Sequence, residues 1–286
     1  MSCKAAKTIT GALINWSTRY HRQDRTIDPL LFYHKILSKM NPLRIVMLGA
    51  PGSGKGTYSK AIAANIVKYL SPSTQAHTTL PVLSSGDLIR SEIAKQSDLG
   101  RAAQQASEAG RLVPDALVTS AVLAQLEAYQ TSGYILDGFP RTLAQAESLS
   151  NHASGSVAPT TVINVNLATD VIVQKLLGRR VCAKCGVSYN LANVIDPVRG
   201  YDMPAMLPPA SCAQTLTTRV DDTDQVIAKR LEVYQAETKP LIEWYQEQGL
   251  LIDFVVKKGM KDVPILKNKI KKHWQATAIA EEWSKT

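Results

Sequence analysis

The chain has 286 residues, of which 45% are apolar, and a formal net charge of +9. This length can bury a sizeable core, and no apolar run approaches the length of a membrane span, so we expect a soluble protein without a membrane partner. Four cysteines are too few for a disulfide scaffold. The basic excess suits phosphate-rich small molecules as well as nucleic acid. The sequence has no aromatic stacking platform and no recognition-helix pattern, so we do not expect a nucleic-acid partner.

The first 42 residues form a basic N-terminal extension. They carry seven Lys/Arg and two Asp, and therefore hold +5 of the net charge. Arg19, Arg22 and Arg25 are interleaved with apolar residues, and the apolar core of a secretory signal is missing. This composition favours a transit peptide for a mitochondrion or plastid. A docking or disordered extension of a cytoplasmic enzyme is the alternative.

A glycine-rich loop follows the first predicted strand, Ile45 to Leu48. Residues 49–57 read GAPGSGKGT, and an apolar pattern at helical spacing begins directly after them. Glycines leave room for backbone N–H groups around a phosphate, the helix N-terminus adds a positive end, and Lys55 adds a mobile charge. The hydroxyl that usually follows the lysine comes one residue later, at Thr57, because Gly56 intervenes. The loop therefore predicts phosphate binding, but not a routine GTPase or ATPase.

Strand and helix patterns alternate along the rest of the chain. Short apolar runs predict strands at 81–83, 134–136, 161–167 and 250–256. Helical spacing predicts helices at 88–109 with a break at Gly100, and at 113–129, 170–180, 222–245 and from 261, while the polar stretch 71–79 predicts a surface connection. This order predicts an α/β fold, a P-loop doubly wound parallel sheet with helices on both faces. Ligand loops would leave the carboxyl ends of its strands at 49–57, 84–87 and 137–141.

Residues 181–218 have a different character from the rest and indicate a small inserted lobe. They contain Cys182, Cys185 and Cys212 and show little periodicity. A Cys-X-X-Cys pair is half of a zinc knuckle, and Cys212 supplies a third of the four ligands that tetrahedral zinc needs. The spacing offers no convincing fourth ligand. Structural Zn²⁺, a knuckle held by hydrogen bonds and packed reduced thiols therefore remain open alternatives.

The loop GAPGSGKGT resembles the phosphate loop of the adenylate kinases, which belong to the nucleoside monophosphate kinases. Further segments resemble the same family in the expected order: LSSGDLIR (83–90), AGRLVPD (109–115), DGFPRTLAQAE (137–147), LLGRRVC (176–182) and LTTRVDD (216–222). The resemblance covers residues 43–258 as the kinase domain. It implies an AMP-binding helical segment at 84–113, an inserted lid at 178–218, and a basic C-terminal helix and tail at 259–286 outside the domain.

The resemblance also implies two nucleotide sites. The residues expected to bind ATP are Gly52, Ser53, Gly54, Lys55, Gly56, Thr57, Arg179, Tyr189 and Lys261. The residues expected to bind AMP are Ser85, Arg90, Arg111, Leu112, Val113, Gly138, Phe139, Pro140, Arg141, Gln145, Arg219 and Arg230. Lys55, Arg141, Arg179, Arg219 and Arg230 would be catalytic, because phosphoryl transfer between two nucleotides needs positive charge and positioning. Asp137 would hold Mg²⁺ through water.

Some positions depart from the usual pattern of the family. Arg111 stands where a lysine is usual, and Lys175 stands where an arginine often stacks on the donor adenine. Pro209 occupies a position at which members with a zinc lid carry a ligand. The three-cysteine lid resembles the organellar adenylate kinases of plants, which adds to the case for a transit peptide.

The implied activity is ATP + AMP = 2 ADP by Mg²⁺-dependent in-line transfer, in a monomer and without a covalent intermediate. The long lid favours adenylate kinase over a pyrimidine monophosphate kinase. Two alternatives remain at this stage. One is a GTP:AMP phosphotransferase, and the other is a non-catalytic nucleotide-sensing protein with the same fold.

Overall fold

The computed structural model describes residues 42–64, 66–70, 79–108 and 111–283. Residues 1–41 of the N-terminal extension and most of the expected surface connection, 71–78, lie outside this part of the chain. The chain divides into two compact units. One is Pro42–Ile270, and the other is described only over residues 271–283.

A parallel sheet of five strands forms the centre of the larger unit. Its strands are β1 (Arg44–Leu48), β2 (Val82–Ser84), β3 (Tyr134–Asp137), β4 (Thr161–Asn166) and β10 (Leu251–Val255), in the spatial order β10-β4-β1-β3-β2. Every neighbouring pair is parallel. Strand β1 is buried along its whole length, as expected when helices cover both faces of a sheet. The predicted α/β fold with a parallel sheet is confirmed.

The register of the strands brings three loops to one edge of the sheet. Met47 of β1 and Ser84 of β2 both pair with Asp137 of β3, so these strands end side by side. The glycine-rich loop, the start of the helix after β2 and the Asp137–Arg141 segment therefore leave the sheet together. In a parallel α/β sheet this carboxyl edge is where ligands bind.

Helices connect the strands. They are α1 (Lys55–Ala63), α2 (Ile66–Leu70), α3 (Ser85–Ala94), α4 (Asp98–Glu108), α5 (Asp115–Leu126), α6 (Leu143–Asn151), α7 (Thr169–Leu177), α8 (Ala210–Ala213), α9 (Asp224–Val233), α10 (Pro240–Glu247) and α11 (Val263–Trp283). Short 3₁₀ turns cover Glu127–Tyr129, His152–Gly155 and Gly259–Asp262. Ser84, Thr142 and Thr223 cap α3, α6 and α9 by accepting a backbone N–H through the side-chain oxygen. No described helix combines the length and the apolar character needed to cross a membrane.

Three predicted helix boundaries were wrong. The break after α3 falls at 95–97, where Gln96 has a φ of 56°, and not at Gly100. Gly100 lies inside α4, where a Cβ would collide with the carbonyl oxygen of Glu92, so this glycine serves close packing. Helix α7 ends at Leu177 and the chain continues as a strand, and a π-helical turn (Tyr234–Thr238) separates α9 from α10.

The residues between α7 and α9 form short antiparallel strands. Strands β5 (Arg179–Cys182), β6 (Ser188–Asn190) and β9 (Leu216–Thr217) make a small sheet, and β7 (Val194–Asp196) pairs with β8 (Tyr201–Met203) as a hairpin. These strands are too short to produce a clear alternating pattern in the sequence.

The β7–β8 hairpin is fastened to the larger unit's core. The backbone N–H of Asp202 donates to the carbonyl of Lys257 at 2.9 Å, and Arg199 pairs with Asp170 of α7 at 2.8 Å. The Lys257 ammonium lies 4.2 Å from the ring centre of Tyr201, which is almost fully buried. The hairpin is thus tied to the end of β10 and to α7.

Candidate active site

The glycine-rich loop has a backbone that only glycine adopts readily. Gly49 and Gly54 have φ angles of 137° and 99°. At Gly49 a Cβ would lie 2.5 Å from the carbonyl oxygen of Val165, so the loop passes close to β4. Gly54 is the residue before α1, and its conformation directs the N-terminus of that helix toward the loop. The positive end of this helix therefore faces the loop, as phosphate binding requires.

Lys55 lies at the base of this loop and is held by it. Its Nζ donates to the carbonyl oxygens of Gly49 at 2.7 Å and Ala50 at 2.9 Å. Burial lowers the Lys55 pKa to about 8, and the nearby guanidinium of Arg141 acts in the same direction, whereas Asp137 opposes the shift. The ammonium therefore lacks sufficient negative charge around it, and a bound phosphate would supply that charge.

The unusual glycine after Lys55 has a steric reason. A Cβ at position 56 would lie 2.9 Å from Oδ2 of Asp137, a distance that Cβ atoms in proteins do not tolerate. Asp137 ends β3, and burial raises the pKa of its carboxyl, against the effect of Lys55. A serine or threonine at this position would therefore displace the Asp137 carboxylate, whereas Gly56 leaves it in place and the hydroxyl follows at Thr57.

Arginines from separate elements converge on the same edge of the sheet. Burial, with Arg230 next in effect, lowers the pKa of Arg141 to about 10. Burial also lowers the pKa of Arg219 to about 10, with Arg179 and Arg90 as the next causes. Each guanidinium is thus close enough to disfavour the charge of another. Bound anions would relieve this repulsion, so the cluster of guanidinium groups matches a site for several phosphate groups.

Two aspartates hold two of these arginines in place. The buried carboxylate of Asp222 accepts two hydrogen bonds from Arg179, one of them from Nε at 2.7 Å. Asp221 accepts from Nη1 of Arg230 at 2.6 Å. Bidentate pairing fixes the plane of a guanidinium. The adjacent aspartates therefore link strand β5 to helix α9.

A cavity of about 1200 Å³, including its open mouth, lies beside the loop. It is polar near Lys55, Arg90, Arg141 and Arg230 and more apolar near Ile89, Val113 and Val118. The expected site residues that line it are Lys55, Ser85, Arg90, Arg111, Leu112, Val113, Gly138, Pro140, Arg141, Gln145 and Arg230. A cavity with a cationic side and an apolar side matches a nucleoside phosphate.

Asp115 orients Gln145 at the wall of this cavity, and the sequence analysis did not single it out. Its Oδ1 accepts from Nε2 of Gln145 at 2.7 Å, and its Oδ2 accepts from Thr142 at 2.6 Å. The Oε1 of Gln145 accepts from the backbone N–H of Arg141 at 2.7 Å. In the sequence, an acidic residue directly after Pro114 indicated only the first turn of a helix.

Several expected residues lie outside the lining of this cavity. The side chain of Phe139 is fully buried in the core, and Arg219 approaches Ser188 of β6 at 3.5 Å. Tyr189 lies beside the cysteines, and its contact with Cys212 raises the Tyr189 pKa to about 12. Lys261 is exposed, and its Nζ pairs with Asp202 at 2.8 Å. The lining also lacks Arg179 and the loop residues Gly52, Ser53, Gly54, Gly56 and Thr57. Gly52, Gly54 and Gly56 directly adjoin the lining residues Pro51 and Lys55 in sequence, and Arg179 pairs with Asp222, the neighbour of the lining residue Asp221.

Three cysteines of the segment between α7 and α9, Cys182, Cys185 and Cys212, come together as a cluster that we call the cysteine triad. Their sulfur atoms all lie within 4.8 Å of one another. Within the part of the chain that the structure describes, no His, Asp, Glu or further Cys joins them. The triad therefore offers three ligands, one fewer than a closed tetrahedral zinc site uses.

The fold and this edge of the sheet define a P-loop phosphotransferase with room for nucleotides. The model of the adenylate kinase family matches residues 47–250, and the chain belongs to this family. The general reaction of the family is ATP + AMP = 2 ADP, and adenylate kinases generally use Mg²⁺. The predicted family, reaction and enzyme class are confirmed.

Individual relatives support the same assignment. The protein described as probable adenylate kinase 6, chloroplastic, of Arabidopsis thaliana is 37% identical over 226 residues, which cover 76% of this chain and 70% of that protein. Adenylate kinase 1, chloroplastic, of the same plant is 34% identical, over 80% of this chain and 77% of that protein. An adenylate kinase of the bacterium Lachnospira eligens is 37% identical, over 77% of this chain and 96% of that protein.

Proposed function

We propose that this chain transfers the terminal phosphoryl group of ATP, bound at the glycine-rich loop, to AMP in the adjoining cavity. The observation that carries the proposal is the convergence of Lys55 and the arginines at the edge where β1 and β3 end. The phosphates of one nucleotide would neutralise only part of this positive charge. Two phosphate chains meeting end to end account for cations on both the loop side and the cavity side.

The residues act mainly by holding charge. Lys55 gives up its contacts with the loop carbonyls and follows the transferring group, while Arg141 and Arg230 hold the phosphates of both nucleotides. No side chain needs to remove a proton, because the acceptor phosphate is already a nucleophile and the transfer is in line. Mg²⁺ would supply further positive charge, and Asp137, a carboxylate at the strand end, would hold it through water.

The acceptor site combines phosphate binding with recognition of a base. Arg90 and Arg141 bind the AMP phosphate, while Gln145 contacts the adenine edge and Arg111, Leu112 and Val113 line the pocket. Asp115 keeps the Gln145 carboxamide in one orientation by accepting from its Nε2. A fixed amide discriminates between bases by its donor and acceptor pattern.

The donor site is completed by the inserted segment 178–218, which we propose acts as a lid. Arg179 and Arg219 contact the ATP phosphates, and Tyr189 and Lys261 lie near the donor nucleoside when the lid closes. Closure excludes water that would otherwise hydrolyse ATP. Rates with ATP and with GTP at saturating AMP test the donor, and a strong preference for GTP would contradict this assignment.

The compartment and the assembly are part of the proposal. The basic extension 1–42 together with chloroplastic relatives supports a plastid location, with a mitochondrion or the cytoplasm as alternatives. A fusion of residues 1–42 to a fluorescent protein, followed by cell fractionation, distinguishes the three. We propose a monomer because one chain contains both nucleotide sites, and light scattering of the purified chain tests this.

Lys55→Met is the direct test of the proposed site. We expect ADP formation to fall about 100-fold or more, because a preorganised cation in a site without water cannot be replaced by solvent. Lys60→Met is the matched control, since Lys60 is an exposed lysine of the same helix. Activity of Lys55→Met at the level of the control would refute the site.

A further inference from the structure

The cysteine triad lies between two parts of the lid. Cys182 is on β5, Cys185 is in the turn from β5 to β6, and Cys212 is in the short helix α8. The sulfurs of Cys185 and Cys212 are 3.6 Å apart, although 27 positions separate the two residues in sequence. Cys185 is exposed, whereas Cys182 and Cys212 are buried.

A structural zinc ion does not fit this cluster well. Structural zinc sites close with four protein ligands, and the described residues provide three sulfurs. Pro209, which precedes α8, has no side-chain atom that could bind a metal. The triad instead brings together reduced thiols, one of which is accessible to small molecules in solution.

We propose that Cys185 and Cys212 are a site of reversible disulfide formation, with glutathione disulfide or a similar small disulfide as the oxidant. The Cys185 thiolate attacks one sulfur of the oxidant, forms a mixed disulfide and releases one reduced thiol. The Cys212 thiolate then attacks the Cys185 sulfur and releases the second reduced thiol. Two protein thiols are oxidised, and one disulfide of the oxidant is reduced to two thiols.

The local geometry selects this pair. The sulfurs need to approach by about 1.5 Å to reach a disulfide bond length. Gly186, next to Cys185, has a φ of 71° and no atom within 4 Å of the place where a Cβ would be, so the turn has space to move. Cys182 is held on its strand, and its sulfur lies 3.0 Å from the hydroxyl oxygen of Thr215.

The disulfide would join α8 to the β5–β6 turn. Ser188 follows this turn in β6 and approaches the guanidinium of Arg219, so oxidation would restrict the part of the lid around that arginine. An effect on the rate of phosphoryl transfer rests on the proposed function of Arg219. The formation of the disulfide does not, and a count of thiols tests it independently of activity.

The test uses the full chain with Cys3→Ser, which leaves the triad as its only cysteines. The chain is reduced, freed of metal with a chelator, incubated with glutathione disulfide and then titrated for thiols after denaturation. We expect three thiols to become one and the intact mass to fall by about 2 Da, with reversal by dithiothreitol. Adding Cys185→Ser should leave two thiols that do not pair. Adding Cys212→Ser should leave one thiol and trap the mixed disulfide of glutathione on Cys185, whereas adding Cys182→Ser should allow both remaining thiols to disappear.

Other outcomes would overturn the proposal. They are three thiols that persist, a stable glutathione adduct on the chain that keeps all three triad cysteines, or loss of two thiols in the Cys185→Ser variant. One equivalent of zinc in chain purified without a chelator, with thiols protected by it, would assign the triad to metal instead. Unchanged ADP formation by the reduced variants shows that their chains are folded. A thiol count that contradicts the disulfide therefore leaves the proposed enzyme function unaffected.

Discussion

At the scale of single residues, the departures from a usual phosphate loop follow from its neighbours. Gly56 leaves room for the Asp137 carboxylate, which lies where a Cβ would point. Lys55 has a lowered pKa because it is buried among arginines with too few anions. The crowding of cations that disfavours the charge of each one also increases the affinity of this site for phosphate.

Gly56→Ser should lower the rate of ADP formation about tenfold or more, although it restores the usual order of lysine and hydroxyl. Its Cβ would displace Asp137, and displacements of about 1 Å at a reacting centre cost up to about 100-fold. The rate is measured as a function of Mg²⁺ concentration, with Ala64→Ser as control, because Ala64 is exposed and directly follows the same helix. Wild-type activity in Gly56→Ser would show that Asp137 has no fixed place in the reaction.

The charge of Lys55 should shape the pH profile. In the free enzyme Lys55 loses its proton above about pH 8, so kcat/KM for ATP should fall by about tenfold per pH unit above that value. Bound phosphates raise the Lys55 pKa, so kcat should stay level to higher pH. Lys55→Arg, which remains charged over this range, should be less active but should not show this fall in kcat/KM. An unchanged fall in Lys55→Arg would assign it to another group.

At the scale of elements, tertiary contacts set where helices end and where the insertion is attached. Gly100 allows α4 to pass the end of α3, and the β7–β8 hairpin is held by Tyr201, Arg199 and Asp202. These attachments differ in strength. Tyr201 is almost fully buried, whereas the Arg199–Asp170 pair is about half exposed to solvent.

Tyr201→Ala should therefore destabilise the protein by about 3 kcal/mol, because it leaves a cavity under Lys257. Arg199→Ala should cost less than about 1 kcal/mol, because solvent screens exposed ion pairs. Urea unfolding of both variants under the same conditions gives the comparison. Equal losses would mean that the ion pair contributes as much to attaching the hairpin as the packing of the ring does.

Gly100→Ala separates helix propensity from packing. Alanine stabilises an exposed helix by about 1 kcal/mol relative to glycine, but here its Cβ would collide with the backbone of Glu92. Overpacking of this kind costs about 1–3 kcal/mol, so we expect a net loss of stability. A rise in the urea midpoint would mean that α4 has space to move away from α3.

At the scale of the whole molecule, the unit Pro42–Ile270 contains every residue that we assign to either nucleotide. A chain that starts at residue 42 should consequently keep its kcat and both KM values within about twofold, since it retains every residue that we assign to either nucleotide. Coupled assays on the full and shortened chains measure this. A large loss of activity would mean that the basic extension takes part in the reaction.

The amino-acid sequence alone determined the parallel α/β fold, the phosphate loop and the order of the motifs, because glycine spacing and apolar periodicity are local signals. It did not place the ends of α3 and α7 or detect the short strands between α7 and α9, since long-range packing decides those positions. Only the tertiary structure related Gly56 to Asp137 and Asp115 to Gln145, and showed the convergence of arginines from separate elements. Charge repulsion and steric conflict act between residues that are close in space. Residues that are distant in sequence become close only when the folded sheet brings its strand ends together.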